Sequence, residues 1–292
     1  MPGPKGIVWL SSYPKSGNTW FRILLARILN KSTTLNDINE MDSILGSPMV
    51  ANRAWMNQAL GFDSQLLNDQ EVDFLRPTAY QWVAQQLKQT TFIKIHDAYT
   101  HLEDKTPLIP TEGCLGAIYF IRNPLDVAIS LAHHAKCPID WSIQMMANPE
   151  FAVPFAGKKD KQLRQQLLSW SLHVQSWIAN PSIPLLVLRY EDMFFKPLET
   201  FSRGMNFLNV DISSQALQQA IDDTSFDKLQ DHEKQHGFKE KPALDRPFFR
   251  KGIVGDWENT LTEQQVQRVI ADHSEMMQAY GYLDENNRPM PN

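Results

Sequence analysis

The sequence predicts an α/β fold, a single domain over residues 1–292 with a central parallel sheet flanked by helices. Three observations lead there. Four short apolar runs have strand length and no polar alternation, as strands buried on both faces do. Three of them lead into segments whose apolar residues recur at helical spacing. The chain has 292 residues, 42% of them apolar, enough to build one sizeable core without a second.

The first run covers residues 6–10 and precedes a helical segment at 20–29. The second covers 91–95. The third, 115–121, precedes a helical segment at 125–134, with Pro124 suited to a first helical position. The fourth, 183–188, precedes one at 197–208. Between the last two runs, Leu167, Trp170, Val174 and Trp177 share one face of a helix placed at 163–178, a stripe read as core. A final helix begins where Thr260 and Glu263 fit a capping box and ends near Tyr280 and Gly281. Residues 138–161 and 231–246 read as irregular and as candidate loops over a site. No internal repeat or low-complexity tract interrupts the pattern.

Charge and composition narrow the function. Lys and Arg total 28 against 33 Asp and Glu, a net charge of −5, which argues against a nucleic-acid-tracking protein. No apolar stretch is long enough to span a bilayer, and residues 1–7 lack the features of a secretory leader. Two cysteines, Cys114 and Cys137, make no disulfide framework for this size. The plain reading is a reduced, cytoplasmic protein.

Ligands of open α/β sheets bind beyond the carboxyl ends of the strands, so the residues following each run are the informative ones. The first run leads into Lys15, Ser16, Gly17, Asn18 and Thr19 at a helix start. Unsatisfied N–H groups, two hydroxyls and an ammonium there make a phosphate-loop-like turn. It is not a Walker A sequence, because Lys15 precedes Gly17. The second run ends in Lys94 and His96, the third in Arg122 with Ser130 further on, the fourth in Arg189 and Tyr190. Arg250, Lys251 and Gly252 form a further basic loop. The set outlines a site for a ligand with separated anionic ends. A neutral imidazole at His96 is the best-matched base for activating a hydroxyl at neutral pH. His133 and His134 are adjacent on a helix and face different ways, so no metal site is read from them and Cys137.

The order of these motifs resembles the cytosolic-type sulfotransferase family that uses PAPS (3′-phosphoadenosine 5′-phosphosulfate), along nearly the whole chain. Residues 13–20 are similar to its 5′-phosphosulfate loop, 121–130 to its 3′-phosphate segment, and 250–257 to its Arg-Lys-Gly-x-x-Gly-Asp-Trp signature. The resemblance implies a phosphosulfate-binding turn at Lys15 to Thr19, with Lys15 on the bridging oxygen as the bond to sulfur breaks. It implies Trp20 on the adenine, Arg122 and Ser130 on the 3′-phosphate with Arg250, Lys251 and Gly252, and Tyr190, Thr224 and Phe226 around the nucleotide. Lys94-Ile95-His96 matches the family's Lys-x-His, in which the His takes the acceptor proton. The implied reaction moves a sulfuryl group from PAPS to a hydroxyl or amine by in-line displacement, without metal, and releases adenosine 3′,5′-bisphosphate (PAP). Trp141, Met145, Met146, Phe151, Phe155 and Phe238 in the two irregular stretches suggest an apolar or aromatic alcohol as acceptor.

The chain departs from the family pattern in three places. Asn18 stands where a Thr is common, Asp97-Ala98-Tyr99 where animal members have Leu-Pro, and Glu258 to Gln267 replaces a C-terminal dimer motif, leaving the oligomeric state open. Two rival readings are a P-loop kinase, for which Asp126 and Asp192 offer metal carboxylates, and a silent nucleotide binder.

Overall fold

The computed structural model describes residues 4–30, 37–46, 50–154, 161–179, 182–241 and 246–290. Phe155, and with it residues 156–160 and 242–245 of the two stretches read as irregular, lies outside the described residues. In chain order the elements are β1 (Gly6–Ser12), α1 (Asn18–Leu29), α2 (Met41–Leu45), α3 (Arg53–Leu60), α4 (Asp69–Gln86), β2 (Thr90–Ile95) and β3 (Cys114–Ile121). There follow α5 (Pro124–Ala135), α6 (Ile139–Ala147), β4 (Ala152–Val153), β5 (Gln165–Gln166), α7 (Trp170–Ile178) and β6 (Leu185–Arg189). The chain then turns helical: α8 (Tyr190–Phe195), α9 (Pro197–Phe207), α10 (Ser214–Asp223), α11 (Phe226–His236) and α12 (Glu263–Ala279). The four predicted strands form one parallel sheet in the order β2-β1-β3-β6, flanked by helices.

The chain passes back and forth between two compact units. Unit 1 comprises Met1–Tyr13, Gly46–Tyr119 and Met146–Leu185. In it β1 and β2 pair in parallel, with Leu10 opposite Lys94 and Ser11 opposite Ile95, so their carboxyl ends finish level. Buried Arg76 on α4 grips Asp97 just beyond β2 with two hydrogen bonds, 3.0 and 2.6 Å, and Tyr80 with two more. Burial raises the Asp97 carboxyl above its usual range and the Arg76 guanidinium opposes it. Unit 2 comprises Pro14–Leu45, Phe120–Met145 and Leu186–Asn292. Its core centres on Phe21 of α1, against Phe120 at 4.9 Å and Phe201 of α9 at 6.0 Å.

Four expectations need correction. The helix placed at 163–178 starts only at Trp170, because Leu168 has φ 59° and Ser169 caps a new helix. Residues 165 and 166 instead pair antiparallel with β4, and the apparent stripe joins strand to helix. The last helix is capped by Thr262 and Gln265, not by Thr260 and Glu263; the Thr260 hydroxyl donates to Asp256 at 3.3 Å. Residues 138–161 contain α6, whose first turn closes on the Pro138 carbonyl at 3.1 Å. The stretch 231–246 holds the end of α11, whose charged surface hides an amphipathic helix burying Leu229 and Glu233.

Candidate active site

The turn after β1 is wound by two residues with positive φ, Lys15 at 74° and Gly17 at 96°. A Cβ on Gly17 would lie 2.6 Å from Met193 Cε and 2.8 Å from Tyr190 Cδ2, so only glycine closes this turn. Gly17 caps α1 with no side-chain bond, and the helix has no acidic residue in its first turn. Its positive end is thus unopposed within the helix. Ser16 is 1% exposed and its Oγ has no hydrogen-bond partner among the described residues. An anion would satisfy that hydroxyl. The Lys15 ammonium lies 4.3 Å over the Phe248 ring. Thr19 Oγ1 donates to Glu240 at 3.2 Å, and Glu240 is held by buried Arg22 at 2.6 Å. Asn18 is buried beside them.

Trp20 meets the edges of Tyr190 and Phe201 at 6.1 and 5.3 Å, and its Nε1 donates to the Thr224 carbonyl at 3.1 Å. The Thr224 hydroxyl itself closes α10 on the Ala220 carbonyl at 2.8 Å, so this residue orients Trp20 through its backbone. Gly252, with φ 62°, lies flat on Phe226: a Cβ there would fall 2.0 Å from the ring. The expected nucleotide residues Trp20, Tyr190, Thr224, Phe226 and Gly252 therefore occupy one unit with the turn.

Arg122 ties the basic elements together. Its Nη1 donates to the Lys15 carbonyl at 3.3 Å and its Nη2 to the Ile253 carbonyl at 2.9 Å. Its guanidinium sits 4.1 Å over Tyr190, while the buried Nε has no partner among the described residues. Half-buried Ser130 follows on α5. Arg250 and Lys251 both reach Asp256 at 2.6 Å. Burial opposes its ionisation, yet the hydrogen bonds from Lys251 and Arg250 hold Asp256 below the usual carboxylate range. Asp126, weighed from the sequence only as a metal carboxylate, fixes this loop: it accepts from the Gly255 and Trp257 amides at 2.9 and 3.1 Å. Among the described residues no group of three or more His, Cys, Asp or Glu could hold a metal ion.

Lys94 and His96 belong to unit 1. Lys94 is 9% exposed on β2. His96 Nδ1 lies 2.7 Å from the Ser12 carbonyl oxygen, with Ser12 Oγ at 3.3 Å. A carbonyl can only accept, so Nδ1 carries the proton and the neutral ring has its basic lone pair on Nε2. The His96 amide donates to Gln165 Oε1 at 3.1 Å, and its carbonyl accepts from His173 Nε2 at 3.0 Å. Asp97, Ala98 and Tyr99 are buried at 0%, 0% and 4% exposure, so this departure from the family pattern lies in the interior around the His96 backbone.

The family profile of the sulfotransferase domain matches residues 5–281. The chain belongs to the sulfotransferase family. Its reaction is transfer of a sulfuryl group from PAPS to an acceptor hydroxyl. Among relatives, Sulfotransferase 1B1 of Mus musculus is 27% identical, over 93% of this chain and 83% of its own. Cytosolic sulfotransferase 17 of Arabidopsis thaliana is 25% identical, over 96% and 76%. The crystal structure of retinol dehydratase with androsterone and the inactive cofactor PAP superposes with a TM-score of 0.63 at 18% identity, covering 96% of this chain and 83% of that one. That of mouse sulfotransferase SULT7A1 complexed with PAP does so at 0.60 and 21%, covering 95% and 85%. These structures share the fold. Among the described residues no helix is long and apolar enough to cross a membrane.

Proposed function

We propose that His96 Nε2 removes the proton of the acceptor hydroxyl while Lys15 and Lys94 offset charge developing on the bridging and sulfuryl oxygens, in one in-line displacement. PAPS supplies the sulfuryl group and leaves as PAP. Lys15, Ser16, Gly17, Asn18 and Thr19 hold its 5′-phosphosulfate. Arg122, Ser130, Arg250, Lys251 and Gly252 hold its 3′-phosphate, and Trp20, Tyr190, Thr224 and Phe226 surround the adenine. The partnerless Ser16 Oγ and Arg122 Nε, and the glycine-only turn at Gly17, suit such an anion. Residues 1–292 act as one sulfotransferase domain, in the cytoplasm. The acceptor is an apolar or aromatic alcohol. Retinol dehydratase, solved with androsterone and separately with retinol, supports that class.

The observation that carries the mechanism is the 2.7 Å contact from His96 Nδ1 to the Ser12 carbonyl, because it leaves Nε2 as the base. Mass spectrometry of PAPS incubated with a simple phenol and with a long-chain alcohol tests it. The wild type forms the sulfate ester in excess EDTA, and His96→Ala turns over about 10²-fold more slowly. Equal turnover by His96→Ala would overturn the assignment, and loss of ester formation in EDTA would point to a metal-dependent transferase.

A further inference from the structure

His173 sits on α7 with 0% exposure, between two tryptophans whose spacing reads as ordinary core. An imidazole is a costly choice for a dry core unless both ring nitrogens are bonded. Here both are. Nε2 is 3.0 Å from the His96 carbonyl oxygen and Nδ1 is 2.8 Å from the Tyr119 hydroxyl. Because the carbonyl only accepts, Nε2 carries the proton, and Nδ1 of the neutral ring accepts from Tyr119. Burial lowers the His173 pKa to about 4, against the hydrogen bond to His96, so the ring is neutral near pH 7. The Tyr13 ring closes on it edge-on at 5.4 Å.

The same face of α7 holds the chain that follows. Trp177 Nε1 donates to the Asp97 carbonyl at 3.0 Å, and Ser176 Oγ accepts from the Tyr99 amide at 2.9 Å. Positions 173, 176 and 177 are one helical turn apart, so a rigid element bonds the backbone of residues 96, 97 and 99. Residue 96 sits one residue past the paired register of β1 and β2, which ends at Ile95. Its ring orientation therefore depends on these bonds together with those from Gln165 and to Ser12.

We propose that His173 is a positioning residue for the general base: its Nε2–H, in the tautomer that the His96 carbonyl requires and the Tyr119 hydroxyl complements at Nδ1, fixes the His96 peptide. This rests on the reading of His96 as the base. A misplacement of a reacting group by about 1 Å costs on the order of 10²-fold in rate. With 0% exposure His173 offers no surface to an acceptor, so its removal acts on the chemical step and leaves donor binding alone.

The test compares His173→Phe, His173→Gln, Tyr119→Phe and His96→Ala in single-turnover transfer at saturating PAPS, with PAP affinity by calorimetry. His173→Phe loses about 10- to 10²-fold in rate at unchanged PAP affinity. His173→Gln, whose amide N–H can stand where Nε2–H stood, recovers most of that loss. Tyr119→Phe, which keeps the ring packing and removes the hydrogen bond to Nδ1, loses a few-fold. Should His173→Phe fail to fold, the Gln and Tyr119 variants decide the matter. A His173→Phe rate within twofold of wild type, or a Gln variant no better than Phe, overturns the proposal while His96→Ala stays inactive. An active His96→Ala would instead remove the underlying assignment.

Discussion

The base region of unit 1 and the donor region of unit 2 hold their charged and polar groups by opposite means. Around His96 the bonds are part-buried and each has a backbone group at one end, with the Ser12 carbonyl, the His173 ring and Gln165 as partners, beside a fully buried Arg76–Asp97 pair. Around the turn at Lys15, cations rest on exchangeable partners. Arg250 and Lys251, with side chains 26% and 47% exposed, share Asp256, and Lys15 lies on Phe248. A base must be fixed before its substrate arrives, so it is held by several hydrogen bonds at once. Donor-binding cations have to change partners when an anion enters, so their surroundings are wet and replaceable.

The largest effect expected from this contrast is on stability. Arg76→Met leaves Asp97 buried without its guanidinium partner, and should lower unfolding free energy by about 3–5 kcal/mol in urea titrations. Arg250→Met, breaking an ion pair nearer the solvent, should cost under about 1 kcal/mol. Equal losses would erase the distinction.

Acid sharpens it further. The folded-state pKa of His173 is depressed from 6.5 to about 4, so the unfolded chain binds its proton more readily. Its contribution to stability is present above pH 6.5 and lost as pH falls toward about 4. His273 on α12 follows the same sign through the same window. Calorimetric melting temperatures should therefore drop across that interval, and less so in His173→Gln.

Donor binding should respond to different substitutions. Trp20→Ala should weaken PAP by about 1–3 kcal/mol through lost stacking on the base, with little change in single-turnover rate at saturating PAPS. The smallest effect concerns Glu240. The Thr19 hydroxyl has one proton and gives it to Glu240, a carboxylate beside the anion turn. Glu240→Gln should tighten PAP a few-fold at low salt, and the gain should fade as salt rises. Weaker binding would show instead that Glu240 holds Thr19 in its binding pose.

What the sequence revealed follows the same division. The four strands were readable because each is a short, largely apolar run, and the donor motifs because a loop that cradles an anion must spell its glycines and cations consecutively. The turn at Lys15 and the Arg250 loop are local in this sense. The surroundings of His96 are assembled from distant positions: Arg76, Tyr119, Gln165 and His173 share no spacing with residue 96, and His173 among tryptophans reads as packing. The misplaced start of α7 has a similar origin. Leu163 and Leu167 are fully buried, which a periodicity count assigns to the helix, but a left-handed Leu168 separates strand from helix. The charge of α11 concealed it, since a surface helix needs only a narrow buried stripe.

The central claim is that His96 contributes to transfer and Trp20 to nucleotide binding, each without the other. Calorimetric titration of PAP into wild type and His96→Ala tests it most directly. The account predicts dissociation constants within about twofold of each other, a difference under RT ln 2, while Trp20→Ala weakens binding at least about fivefold. A His96→Ala variant that lost PAP affinity as severely as Trp20→Ala would contradict it.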